Sequence, residues 1–282
     1  MFTYKRKFFI IYITIVVLVF TLVFNLITTQ ENTNIKNISN DNLIVKSKER
    51  LEYFHDFFEP YYTSLEALSS NKLFQDYINK KTTQNYVEEY FLSVKKSLPC
   101  IIQVRYIDTN GQEIIKITGN PLTSKNPTSN ILPKELLQNK SKRHYVQDFL
   151  QLSNNEIGTS KIDLNKEFGK VEIPKKPVLR IAMPVFDEKG TKKGITVINI
   201  CLYTFFTKLN KTTLYDSHIV DKNGNFITHH NINYGLMGDS SYTLFDEHPD
   251  IADKILSNET YMDEHIYASK INTLDNNQGL KL

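Results

Sequence analysis

The feature that most constrains the fold of this chain is an uncharged apolar run near its N-terminus, from Phe8 to Ile27. A helix of this length is sufficient to cross a hydrocarbon core of roughly 30 Å. The apolar part of a cleavable signal peptide is usually only about 7–15 residues long and ends in small residues, whereas this run is longer and leads into the sequence TTQ. The sequence therefore predicts a retained transmembrane helix over residues 8–28.

Basic residues immediately before the run predict its orientation. Lys5, Arg6 and Lys7 favour the cytoplasmic side, because cytoplasmic segments carry an excess of Lys and Arg. Residues 1–7 are therefore expected in the cytoplasm, and the chain beyond the helix is expected outside it. This predicts a single-pass protein of the plasma (inner) membrane with an extracytoplasmic, periplasmic C-terminal region.

The composition of the chain fits a folded region rather than a disordered one. It has 282 residues, of which 40% are hydrophobic, enough for one or two domains with real cores. Its 34 Lys and Arg residues nearly balance 31 Asp and Glu residues, which leaves a formal charge of +3. Because this excess is small and evenly spread, nucleic acid is not expected as a partner.

Residues 29–98 have a helical pattern and are expected to form a stalk helix followed by helices that pack on a sheet. Pro60 is expected to kink or interrupt the stalk, and a break is expected at residues 69–71. Pro99 ends the last helix, because proline disfavours helical geometry in the residue before it. Lys95 is expected to lie outside the apolar face of this last helix. That face is formed by Tyr86, Val87, Tyr90, Phe91, Val94 and Leu98.

Beyond Pro99 the apolar pattern changes to that of strands, and three hairpins are predicted. The first joins IIQVRYID to EIIKI through a turn at residues 109–111. The second joins RIAMPVF to GITVINI around residues 187–190, and the third lies around residues 221–224. Turns of this kind are common in antiparallel proteins, so their order along the chain is more informative than any one of them.

That order resembles the double Cache (double PAS-like, or PDC) extracytoplasmic sensor region of bacterial sensor histidine kinases, diguanylate cyclases and chemoreceptors. The stretches that carry the resemblance are QVRYIDTNGQEIIKI, SKIDLNKEFGKVEIPKKPVLRIAMPVFDEKGTKKGITVINI and HIVDKNGNFITHH. The resemblance covers residues 30–282 and implies an α+β fold of two stacked PAS-like modules with antiparallel sheets along the stalk helix. It implies a membrane-distal module at residues 99–211, where ligands most often bind in this family, and an incomplete membrane-proximal module at 212–282.

The function implied by this resemblance is small-molecule sensing in a bacterial membrane signal-transduction protein, as in two-component systems. No further apolar run of membrane length follows the second hairpin, so the output domain, a histidine kinase or diguanylate cyclase, is expected to be absent from this chain. The alternative is a membrane-anchored extracytoplasmic protein-binding module without signalling output. No catalytic activity is expected, because the sequence lacks a nucleophile elbow, an HExxH helix and a Walker-type phosphate loop.

Alternation along the best strands separates an apolar face from a face with isolated polar groups. Gln103 and Arg105 share one face of the first strand, and Arg180 and Asn199 lie on the corresponding faces of the second hairpin. Where these side chains converge, two guanidinium groups would suit a carboxylate ligand, which Arg binds through two parallel hydrogen bonds.

A solvated sheet face is the alternative explanation of these polar groups. In that case Arg105 and Arg180 would pair with nearby carboxylates such as Glu113 or Asp163. The resemblance adds Tyr145 and the segment that contains Asp163, because these stretches often border the pocket in the family. The candidate ligand-binding residues are therefore Gln103, Arg105, Tyr145, Asp163, Arg180 and Asn199.

The expected partners are a small-molecule ligand, with a carboxylate as the suggested class, the membrane, and a second copy of the chain that dimerises through the stalk helix. No cofactor is expected. His218, His229 and His230 are not expected to bind metal, because adjacent residues in a strand point to opposite faces. Cys100 and Cys201 are expected as buried thiols, with a disulfide as the alternative in an extracytoplasmic protein.

Overall fold

The computed structural model describes residues 2–211, 215–272 and 278–282. A short 3₁₀ helix, Lys134–Leu136, accompanies the α-helices in these ranges. The α-helices are α1 (Phe2–Ser70), α2 (Lys72–Ile78), α3 (Gln84–Ser97), α4 (His144–Leu150), α5 (Tyr203–Leu209), α6 (Leu244–Glu247) and α7 (Ala252–Ser257). The strands are β1 (Ile101–Asp108), β2 (Glu113–Thr118), β3 (Asn130–Ile131), β4 (Gly158–Thr159), β5 (Asp163–Leu164), β6 (Lys166–Glu167), β7 (Lys170–Val171), β8 (Pro177–Phe186), β9 (Lys192–Cys201), β10 (Ile219–Val220), β11 (Phe226–Thr228), β12 (Thr260–Met262) and β13 (Tyr267–Ser269).

Helix α1 is continuous for 69 residues and is long and apolar enough at its N-terminal end to cross a membrane. It passes through Pro60, so of the two predicted effects, a kink or an interruption, the interruption is wrong. Proline removes one hydrogen bond of the helical ladder, and the burial of Phe58 and Tyr61 on either side stabilises this segment against the sheet. The break predicted at residues 69–71 is confirmed, because α1 ends there and the Asn71 side chain caps α2 by accepting from the Leu73 amide at 2.9 Å.

Helix α3 ends at Ser97, two residues before Pro99, with Leu98 in an extended conformation, as predicted. Its predicted inner face buries Val87, Phe91 and Val94 and partly buries Tyr90 and Leu98, whereas Tyr86 is 65% exposed. The expectation that Lys95 lies outside this face is also wrong. Its side chain is fully buried, and its Nζ donates to the backbone carbonyls of Asn120 at 2.7 Å and Thr128 at 3.0 Å. Burial, with the nearby ammonium groups of other lysines, lowers the pKa of Lys95 to about 8.

The main sheet is antiparallel, with the strand order β3-β2-β1-β9-β8-β4, and β5 pairs with the start of β8, at Pro177 and Val178. The first two predicted hairpins are confirmed as β1–β2 and β8–β9. Between them β1 pairs directly with β9, so the three longest strands lie side by side at the centre. Polar residues that alternation places on one face are thereby brought together.

Both faces of this sheet are covered. Helices α1, α2 and α3 pack on one face, where Phe205 of α5 lies among aromatic rings of the stalk. Helix α4 covers part of the other face through Val146 and Phe149, which contact Ile195 and Val197. The polar face is therefore buried rather than solvated. The rings within 5.7 Å of Phe205, measured between centroids, belong to Tyr53, Phe54, Phe57 and Phe58.

The C-terminal part of the chain is smaller and has its own core. The third predicted hairpin is confirmed as β10–β11, although its strands are only two and three residues long. A second hairpin, β12–β13, lies near it, and Lys281 bridges Val220 and Lys270. The predicted boundary between residues 211 and 212 falls at the edge of residues 212–214, which lie outside the described ranges.

Candidate functional site

Strand register brings the four polar residues predicted from alternation onto one face of the sheet. Asn199 on β9 lies between Gln103 on β1 and Arg180 on β8 in a single cross-strand row. Arg105 lies in the next row on the same face, and its Nη2 donates to Asn199 Oδ1 at 2.6 Å. The Asn199 amide in turn donates to Gln103 Oε1 at 3.0 Å. All four side chains are buried.

Tyr145 on α4 connects the two guanidinium groups. Arg105 Nη1 donates to the Tyr145 hydroxyl at 3.0 Å, and the Arg180 guanidinium carbon lies 4.6 Å from the centre of its ring. A third guanidinium, that of Arg143, lies 5.6 Å from the same ring. Burial alone would raise the pKa of the Tyr145 phenol, but Arg105 and Arg180 lower this pKa below its usual value.

Carboxylates pair with both arginines, as the alternative explanation predicted. Arg180 Nη1 donates to Asp163 Oδ1 at 2.7 Å, and Arg105 Nη1 lies 3.5 Å from Glu113 Oε1. The two pairs differ in access, because the Asp163 side chain is 43% exposed whereas Glu113 is fully buried. The structure thus brings all six sequence-predicted residues into one network that meets solvent at Asp163.

The network also contains residues that sequence reasoning missed. Glu167, on the short strand β6, accepts from Gln103 Nε2 at 2.6 Å and from Lys116 Nζ at 3.1 Å. Lys140 lies 3.8 Å from the same carboxylate. Lys116 could have been found, because it lies directly opposite Arg105 in the β1–β2 register and so shares its face. Glu167 and Lys140 lie in segments without a periodic pattern.

The electrostatic balance of the network is positive. Its described members include four cations (Arg105, Lys116, Lys140 and Arg180) and three carboxylates (Glu113, Asp163 and Glu167). Burial alone would raise the pKa of Glu167, yet Lys116, the Gln103 amide and Lys140 lower this pKa to about 2. The Nε atom of Arg105 is buried and has no hydrogen-bond partner among the described residues.

A cavity of about 1010 Å³ lies elsewhere, between α1 and the C-terminal part of the chain. On its wall His218 and His230 stack against each other, and His229 stacks on His218 with 4.1 Å between ring centroids. The expectation that adjacent histidines point to opposite faces is wrong here. Strand β11 ends at Thr228, so alternation no longer applies to the two residues that follow.

The two cysteines are buried free thiols. Their backbones are neighbours, because the Cys201 amide donates to the Cys100 carbonyl at 2.8 Å. Their side chains nevertheless belong to separate apolar clusters, since Cys100 packs with the helices and Cys201 packs with Ile102 and Val178.

The fold is that of bacterial sensory domains. A domain of a sensory box/GGDEF family protein from Vibrio parahaemolyticus superposes with a TM-score of 0.68 at 22% identity, over 85% of this chain and 95% of that one. The extracellular domain of the histidine kinase vpHK1S-Z8 superposes with a TM-score of 0.67 at 20% identity, over 86% of this chain and 91% of that one. The sensory domain of the Campylobacter jejuni chemoreceptor Tlp3 with isoleucine bound superposes with a TM-score of 0.60 at 14% identity, over 88% of this chain and 92% of that one.

Sequence comparison gives the family itself. The family model of the bacterial histidine kinase sensor domain matches residues 41–276, and the chain belongs to this family. No curated protein matches the chain in sequence. The predicted α+β sensor fold and the predicted sensor function are therefore confirmed.

Proposed function

We propose that this sensor domain recognises a small carboxylate at the network around Arg105 and Arg180, and that an α-amino acid is the favoured class. The observation that carries the proposal is the convergence of two buried guanidinium groups on Tyr145, that of Arg105 at its hydroxyl and that of Arg180 over its ring. Arginine binds carboxylates through paired hydrogen bonds, and these are stronger where water is excluded.

The existing Arg180–Asp163 pair supports this choice of ligand. A carboxylate already lies 2.7 Å from Arg180 Nη1, so this guanidinium is accessible to such a group. Because Asp163 is partly exposed, its side chain can turn away from Arg180 without a large loss of packing. It can then accept a hydrogen bond from the ammonium group of a ligand. The net positive charge of the network favours an incoming anion, as does the Nε of Arg105, which has no hydrogen-bond partner among the described residues.

Relatives of the same fold support an amino acid in particular. The Campylobacter jejuni chemoreceptor Tlp3 has been crystallised with isoleucine and with L-valine. Its ligands combine one carboxylate, one ammonium and an apolar side chain. The network here offers cations, the Asp163 carboxylate and the neighbouring apolar cluster of α4, which match these three groups.

The membrane arrangement is part of the same proposal. Helix α1 would anchor the domain as a single span of the plasma membrane, with the basic residues at its start in the cytoplasm and the sensor region outside. Dimerisation through the stalk, and an output domain on another part of the signalling protein, complete the proposed receptor. These features rest on the apolar N-terminal helix and on the family.

Ligand-dependent thermal unfolding of the full chain in lipid nanodiscs tests the ligand class. The panel consists of amino acids, the carboxylic acids that lack their amino groups, and the amines that lack their carboxylates. A ligand at 100 times its dissociation constant adds about 2.7 kcal/mol to the stability of the native state. We expect a raised midpoint with amino acids, a smaller rise with the carboxylic acids, and none with the amines.

Variants connect that response to the site. Arg180→Gln is expected to abolish the response, and Tyr145→Phe is expected to weaken it while keeping the packing of the ring. Lys142→Gln, which removes an exposed cation near α4, is the matched control and should respond like the wild type. An undiminished response in Arg180→Gln would place binding elsewhere, and no response to any carboxylate would reduce the network to a structural role.

A further inference from the structure

The three histidines at the end of β11 form a compact group of metal-binding side chains. Each offers a ring nitrogen, and these three atoms lie within 4.8 Å of one another. His218 Nε2 and His230 Nδ1 are only 2.7 Å apart, so one of them donates a hydrogen to the other. Two imidazole nitrogens on one tetrahedral zinc ion are about 3.3 Å apart, given Zn–N distances near 2.0–2.1 Å. A small separation of the rings would therefore admit an ion.

The surroundings of His229 resemble those of a metal-binding imidazole. His229 is buried, its Nε2 lies 2.9 Å from Glu247 Oε2, and its Nδ1 accepts a hydrogen bond from the Asn231 backbone amide at 3.0 Å, which an ion bound at Nδ1 would replace. Histidines that bind metals almost always use their second nitrogen to donate to a carboxylate or carbonyl, which determines the orientation of the ring. Glu247 itself is largely buried, so this orientation is held firmly.

We propose that His218, His229 and His230 bind a divalent transition-metal ion and that Glu247 is the positioning residue of His229. Three imidazoles favour zinc, nickel, cobalt or copper over magnesium or calcium, which prefer oxygen ligands. Three protein ligands leave one tetrahedral position for water. His230 is exposed and lies on the wall of the large cavity, which gives the ion a path from solution.

This site lies in the C-terminal part of the chain and is independent of the proposed carboxylate site. Residues of α1 line the same cavity, so an ion bound here would share this space with the element that leads to the membrane. Metal binding would thus give the sensor a second input.

Zinc titration of the full chain, in nanodiscs and with a purification tag that lacks histidine, tests the proposal by calorimetry. We expect one saturable site in the wild type, and a tetrahedral absorption spectrum when Co²⁺ replaces Zn²⁺. His218→Gln and His230→Gln are expected to weaken binding by at least about tenfold, since even the loss of an orienting partner costs about 10- to 100-fold. Glu247→Gln should weaken Zn²⁺ binding by about 10- to 100-fold.

His144→Gln is the matched control, because it removes an exposed histidine on α4, away from this cluster. Thermal midpoints without metal show which variants fold, and the exposed His230 provides a variant that can be tested even when a buried substitution unfolds the domain. No saturable Zn²⁺ binding, or binding in His230→Gln equal to that of the wild type, would overturn the proposal.

Discussion

Replacing Glu167 with Gln is expected to destabilise the domain by about 3 kcal/mol at neutral pH. The side chain is the centre of the polar network, where it accepts hydrogen bonds from Gln103, Lys116 and Gln138 and lies near Lys140. Gln preserves the shape but removes the charge, which leaves two buried ammonium groups with less compensation. Removing one partner of a buried ion pair typically costs about 3–5 kcal/mol.

The magnitude follows from the pKa of Glu167, which the network lowers from 4.5 to about 2. Each pKa unit corresponds to about 1.4 kcal/mol. Because the folded pKa is the lower one, the unfolded chain binds more protons between the two values, and stability decreases as the pH falls through this window. Between pH 7 and pH 3 the wild type should lose about 2 kcal/mol through this group.

Urea unfolding of the full chain in detergent micelles, followed by circular dichroism at pH 7 and pH 3, tests this account. It measures the stability lost in Glu167→Gln at neutral pH and the stability that the wild type loses at low pH. The difference in unfolding free energy between wild type and Glu167→Gln should shrink by about 2 kcal/mol at the lower pH. Glu188→Gln removes an exposed partner of Lys81 and should leave stability nearly unchanged at either pH, because exposed ion pairs contribute little. A Glu167→Gln difference that is small at pH 7, or that does not depend on pH, would refute this account of the network.

Two further predictions concern the packing of the helices on the sheet. The pKa of Lys95 falls from 10.5, the ordinary value of a solvated lysine, to about 8 in the folded chain. The unfolding free energy of the wild type should therefore rise by about 2 kcal/mol relative to that of Lys95→Met between pH 7 and pH 9.5. A difference that does not depend on pH in the same urea assay would contradict the buried ammonium. Phe205→Ala should lower the stability of the domain by about 3–5 kcal/mol, because it leaves a cavity among the rings of the stalk. Tyr203→Ala, at an exposed position of the same helix, should lower it little. Equal thermal midpoints for these two variants would contradict the packing.

The central hairpins and four of the candidate ligand-binding residues could be predicted because strand alternation is a local property of the sequence. Once Arg105 and Asn199 are placed in strands, their face follows, and antiparallel pairing brings the faces together. Tyr145 and Asp163 came only from the resemblance to a family, since the short elements that contain them have no clear period.

The remaining features depend on tertiary contacts that no local pattern encodes. The burial of Lys95 depends on two carbonyls of a loop more than twenty residues away in the sequence. The histidine cluster depends on the position where β11 ends, and strand ends are the least certain part of any prediction from sequence. Pro60 does not interrupt α1, because its local effect on the helix is outweighed by the packing of its neighbours on the sheet.

Strand β9 connects the proposed ligand site to the stalk, because its two faces contact different partners. Asn199 lies on the polar face beside Arg105, whereas Thr196 lies on the helix face, where its hydroxyl is 2.6 Å from that of Ser69 at the end of α1. This contact is buried, so a shift of β9 on ligand binding must either move α1 or break a hydrogen bond in the core. Helix α1 continues without interruption from Ser69 to the apolar segment, so it can transmit that shift toward the membrane. The ligand achieves this only if it binds one arrangement of β9 and α1 more tightly than the other, since equal affinity for both would leave their populations unchanged.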